Sequence, residues 1–100
     1  QLPHEEAWAK SAWHLYVVRS NFRDTLIERL KENGIMAYAH YPLPLHLQDA
    51  FSSLGYSVGD FPIAERVANE VASLPFYPSM SQKQAERVAQ VISEELITIK

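Results

Sequence analysis

The sequence predicts an α+β domain: a small sheet of two to three strands packed with three main helices. Three observations carry this. Residues 13–19 (WHLYVVR) are β-branched, aromatic and mostly apolar, the composition of a strand. Four later stretches, one of them short, repeat apolar residues at helical spacing. Glycine or proline separates most of these runs.

Taken in order, the 13–19 run reads as a strand buried on both faces. Asn21 is a candidate N-cap for the helix that follows, with Asp24 suited to the positive end of its dipole. Phe22, Leu26 and Leu30, widened by Ile27, give that helix its apolar stripe. Asn33-Gly34 ends it, because Gly adopts the left-handed C′ conformation without a Cβ clash. Residues 35–41 (IMAYAHY) restart as a strand, completing a βαβ-type unit or at least a helix on a small sheet. Pro42 and Pro44 then forbid both helix and central strand, so the chain continues as a stiff extended loop.

Leu47, Ala50, Phe51 and Leu54 predict a short helix stopped by Gly55. Asp60 is a candidate cap for the next helix, with Pro62 in its first turn and a stripe of Ala64, Val67, Ala68, Val71 and Ala72. Residues 73–77 (SLPFY), broken by Pro75, read as an edge strand or extended segment. Ser81 and Gln84 form a capping box for the last helix, whose stripe is Ala85, Val88, Ala89, Ile92 and Leu96. A sheet this small is marginal alone, which points to support from outside these residues.

Composition excludes several classes. With 100 residues and 47% apolar content the chain is one domain and not a disordered tail. A net charge of -3, with lysines and arginines scattered, lacks the basic patch of a nucleic-acid binder. No cysteine is present, so disulfides and thiolate chemistry are excluded; this is compatible with the cytoplasm. No apolar run approaches the ~20 residues needed to span a bilayer. The start lacks an initiator Met, which suggests a fragment or a processed product.

The candidate chemistry is sparse. The histidines are His4, His14, His40 and His46, without the spacing of a metal set. His14 reads as a structural strand residue, or one at the edge of a ligand site. Trp8 and Trp13 are expected to pack. No GxSxG elbow and no Gly-rich phosphate loop exist. The informative stretch is Tyr38-Ala39-His40-Tyr41-Pro42: aromatic and imidazole groups at a strand end before a proline-stiffened loop. Such groups can donate hydrogen bonds to phosphate or sugar oxygens, and the prolines lower the entropy cost of holding them still. The same residues also fit a packed loop with aromatic filler, and the sequence leaves both readings open.

Linked motifs then point to a family. Residues 14–19 (HLYVVR), 30–35 (LKENGI), 40–48 (HYPLPLHLQ), 59–66 (GDFPIAER) and 73–78 (SLPFYP) occur in matching order and spacing. Over about residues 12 to 97 the chain resembles the C-terminal part of the DegT/DnrJ/EryC1/StrS aminotransferases. The resemblance implies residues 1–12 as a connection from a missing large domain and 13–100 as the small C-terminal domain of a type I pyridoxal-phosphate-dependent transferase. It implies a cytoplasmic homodimer that moves an amino group, usually from glutamate, onto a keto group of a nucleotide-linked sugar for antibiotic sugars or surface polysaccharides. It also implies that the large domain binds the pyridoxal phosphate through a Schiff-base lysine. Lys10, Lys31, Lys83 and Lys100 do not resemble that lysine's context, so this segment alone should be inactive. What carries over is the wall of the site: His40 and Tyr41, with His46 as a further candidate for sugar or phosphate contact. His40 acts either by direct contact or by positioning a neighbour. The competing readings are a stand-alone interaction module with this fold and no catalysis, and a regulatory or non-sugar homologue.

Overall fold

The computed structural model describes residues 1–98. The sheet has two paired strands, β1 (Tyr16–Arg19) and β2 (Val71–Leu74), antiparallel with Val17 opposite Ser73 and Val18 opposite Ala72. On the other edge of β2, Ser73 forms a single bridge with Tyr38, closed by two backbone hydrogen bonds of 2.7 and 3.1 Å. β2 is therefore flanked on both sides, and Ala72 and Ser73 are buried. The 35–41 segment is not a full strand; it touches the sheet only at Tyr38. Both neighbours run antiparallel to β2, so they run parallel to each other with β2 inserted between them. That replaces a contiguous βαβ unit. The α+β class stands.

Helix α1 (Arg23–Glu32) joins β1 to this segment. Its cap position is Phe22, not Asn21; the Ser20 hydroxyl accepts the Phe22 N–H at 3.1 Å. Leu26 and Leu30 are fully enclosed, whereas Phe22 is exposed. The helix ends at Asn33-Gly34 as expected, with Gly34 at φ 75° and the Ile35 N–H closing on the Leu30 carbonyl at 2.8 Å. Helix α3 (Gln82–Thr98) starts with the Ser81/Gln84 capping box: Ser81 N–H donates to Gln84 Oε1 at 2.8 Å and Gln84 N–H to Ser81 Oγ at 3.3 Å. The core lies between these helices and is built from Leu26, Leu30, Ile35, Ala37, Val88 and Val91.

Helix α2 (Pro62–Glu70) runs into β2 without an intervening loop. Val71 and Ala72 thus belong to the strand and not to the helix stripe. β2 is central rather than an edge, because its backbone is paired on both sides. Asp60 does not cap α2; it accepts the Ser57 N–H at 2.7 Å, and Glu65 takes the amides of Gly59 and Phe61 instead. The buried guanidinium of Arg23 closes the other end, donating to the carbonyls of Ala68 (3.0 Å) and Val71 (3.2 Å). The 47–54 stretch forms 3₁₀ turns (Leu45–Leu47 and Asp49–Leu54) with Phe51 and Leu54 exposed, not a packed α-helix.

One face is open. Tyr16, Val18, Leu26, Leu74, Met80 and Ile92 line a groove of about 1050 Å³. Ala85, Ala89 and Leu96, counted in the α3 stripe, also line it and are exposed; Val88 and Val91 carry the burial. For this reason β1 is not buried on both faces: only Val18 is enclosed. Trp13 stacks on Tyr16 at 5.7 Å between ring centres. Trp8 does not pack and is 86% exposed. His14 lies before β1 and is exposed. Among the described residues no helix is long and apolar enough to cross a membrane.

Candidate functional site

His40, Tyr41 and His46 line one cleft, between the proline-stiffened loop and α2. Its floor is apolar, with Val67, Ala68 and Val71 below and Phe61 and Leu45 at the sides. Of residues 38–42, His40 and Tyr41 line this cleft.

His40 is held by the sheet. Its Nδ1 is 2.9 Å from Ser73 Oγ, and its ring stands edge-on to Tyr41 at 5.7 Å and beside Tyr38 at 6.0 Å. The bridge at Tyr38 fixes the backbone two residues earlier, so the ring is anchored through both backbone and side chain. Tyr41 is 73% exposed. The His40–Tyr41 peptide is cis.

His46 is turned inward, with 8% of its side chain exposed; its Nε2–H donates to Glu65 Oε1 at 3.1 Å. Its ring lies against Phe61 at 4.8 Å, and Phe61 meets Tyr56 edge-on at 5.0 Å. Partial burial acts to raise the Glu65 pKa, but the amides of Gly59 and Phe61 together with His46 outweigh it and hold the carboxyl below its usual value. Sequence reasoning missed both Ser73 and Glu65. The histidines they hold are 33 and 19 positions away in sequence, so nothing local links Ser73 to His40 or Glu65 to His46.

Among the described residues, no group of three His, Asp or Glu side chains is placed to hold a metal ion. Nor does a lysine line the cleft: Lys10, Lys31 and Lys83 are exposed elsewhere, and Lys100 lies outside the described residues.

The fold and cleft define a small α+β unit with an apolar cleft between its proline-stiffened loop and α2. The chain belongs to the DegT/DnrJ/EryC1/StrS aminotransferase family, whose model matches residues 1–93. It is 46% identical over 87 residues to the erythromycin biosynthesis sensory transduction protein EryC1 of Saccharopolyspora erythraea, covering 87% of this chain and 24% of that protein. It is 41% identical over 81 residues to a dTDP-3-amino-3,6-dideoxy-alpha-D-galactopyranose transaminase of Aneurinibacillus thermoaerophilus, covering 81% of this chain and 22% of that protein. Its structure is similar to that of S. venezuelae DesV in complex with a ketimine intermediate, with a TM-score of 0.89 and 38% identity over 93% of this chain and 25% of that one. The chain thus spans about a quarter of the length of the relatives it matches.

Proposed function

We propose that this chain is the C-terminal small domain of a pyridoxal-phosphate-dependent aminotransferase acting on the keto group of a nucleotide-linked sugar, with glutamate as amino donor. Residues 13–100 form the domain, and residues 1–12 lead into it from the large domain. On this reading the parent is a cytoplasmic homodimer serving antibiotic-sugar or surface-polysaccharide biosynthesis. The observation that carries the proposal is the likeness, over 93% of the chain, to S. venezuelae DesV in complex with a ketimine intermediate, beside the 41% identity to a dTDP-sugar transaminase.

Pyridoxal phosphate, when bound, supplies the electron sink for transamination. The large domain holds it. This chain contributes the wall: His40 and Tyr41 face the ligand, His46 backs the same cleft, and the apolar floor excludes water. The open face supports a missing neighbour. The accessible surface is 7572 Å², against about 5,800 Å² for a self-contained monomer of this mass. The radius of gyration is 15.6 Å, against about 13 Å for a compact domain of 100 residues.

The test is to express the full-length parent, supply dTDP- and UDP-linked keto sugars with glutamate, and follow amino-sugar formation. Retained cofactor absorbance and turnover in the parent, with neither in the 100-residue chain, is the expected result. Stoichiometric cofactor retention by the short chain would overturn the division of labour. A second reading, regulation without catalysis, has one observation in its favour: a relative 46% identical is named for sensory transduction. A parent that binds the cofactor yet turns over no nucleotide sugar would favour it.

A further inference from the structure

We propose that Glu65 is a positioning residue for the His40–Tyr41 wall: its carboxylate is the tie that holds the 41–61 segment against α2. The inference rests on the reading of the cleft as one wall of a sugar-aminotransferase site.

The segment has little else to fasten it. From 41 to 61 every residue is exposed or half-buried and only the His46 side chain is turned inward, so apolar packing into the core contributes little there. Its hydrogen bonds run within the segment: Leu47 N–H to Pro44, Gln48 side chain to Leu43, Asp60 to Ser57. Among the described residues, those reaching beyond it end on Glu65, apart from the first backbone bond of α2. Glu65 accepts Gly59 N–H at 2.8 and 3.0 Å, Phe61 N–H at 3.2 Å, and His46 Nε2–H at 3.1 Å. One carboxylate thus gathers donors from both ends of a span that begins beside Tyr41. Charge-assisted bonds of this kind are stronger than neutral ones, and the pair is largely shielded: 8% of the His46 side chain and 16% of the Glu65 side chain are exposed. Where the loop lies sets where Tyr41 stands, and small displacements of a site wall weaken substrate binding.

The experiment uses the full-length parent with Glu65→Ala, Glu65→Gln and His46→Gln, read by amide hydrogen exchange and by steady-state kinetics. Glu65→Ala is expected to speed exchange at Gly59, Phe61 and residues 45–48 by about tenfold, with α1, β2 and α3 unchanged. It should raise KM for the nucleotide-linked sugar about fivefold while kcat changes less than about twofold. Glu65→Gln keeps a carbonyl acceptor and should recover part of both losses; His46→Gln should loosen 45–48 but leave Gly59 protected. Unchanged exchange in Glu65→Ala overturns the tie. Exchange raised throughout α1 and α3 also overturns it, because Glu65 would then serve the whole fold. Faster loop exchange with unmoved KM overturns the positioning role. If the unsubstituted parent turns over no nucleotide sugar, the functional reading fails instead, and exchange alone decides the tie.

Discussion

His40 Nδ1 lies 2.9 Å from the hydroxyl of Ser73, the β2 residue that also pairs its backbone with Tyr38. The central strand therefore sets both the start of the His-Tyr-Pro loop and the rotation of its imidazole. Ser73→Ala in the full-length parent is expected to lower kcat/KM about tenfold by freeing the ring. Stability should fall by only about 1 kcal/mol, the net worth of one hydrogen bond. Kinetics beside denaturant titration check this; full activity would show that the hydroxyl does not orient His40.

His40→Ala removes the ring itself. Turnover of the nucleotide-linked sugar should fall by at least about tenfold. The folding cost should stay near 1 kcal/mol, since the ring is only half-buried among aromatic neighbours. A catalytic efficiency equal to wild type would assign His40 to packing.

Leu30 is completely enclosed between α1 and α3. Leu30→Ala should cost about 2–5 kcal/mol through lost transfer energy and the cavity left behind. The control is Leu54→Ala, on the exposed 3₁₀ turn, which should stay within about 0.5 kcal/mol. Equal losses at both positions would contradict the placement of the core.

The groove beside α3 predicts behaviour of the chain in isolation. Its exposed apolar lining should bind a hydrophobic dye and drive self-association. Ala89→Asp, on that lining, should reduce both in the 100-residue chain and weaken domain docking in the parent. Sedimentation measures the first and thermal unfolding of the parent the second. A strictly monomeric, dye-negative chain would count against the groove as a docking face.

Glu65 gives a pH dependence. Its folded pKa lies below the usual 4.5, so its contribution is fully present above that value and is lost as pH falls through the lower, folded value. The groups facing it are His46 and the amides of Gly59 and Phe61. Exchange protection at Gly59 should therefore hold from neutral pH to about 5 and fall away in more acidic solution. Protection that is flat across that acidic range would remove the carboxylate from the tie.

What the sequence disclosed followed from local rules. The Asn33-Gly34 stop and the Ser81/Gln84 box depend on neighbours within one turn, and both formed as expected. β2 was hidden because Val71 and Ala72 extend the helical spacing of Ala64, Val67 and Ala68. Only pairing with Arg19 and Val18, more than fifty positions away, makes them strand. The same distance rule governs the site. His40 and Tyr41 stood out through composition and the flanking prolines. Their supports, Ser73 and Glu65, are an ordinary serine and an ordinary helix glutamate until the chain is folded.

The unbroken passage from α2 into β2, closed by Arg23, has a bearing on sequence change. One residue inserted between Glu70 and Val71 would turn every β2 side chain to the opposite face, placing Ser73 away from His40. Residues 49–58, exposed throughout, carry no such constraint. Length variation in such proteins is expected to accumulate there, beside the cleft, and to be absent at the junction; insertions tolerated at 70–71 would refute this. The unit thus has one seam that evolution cannot lengthen and, next to the site, one that it can.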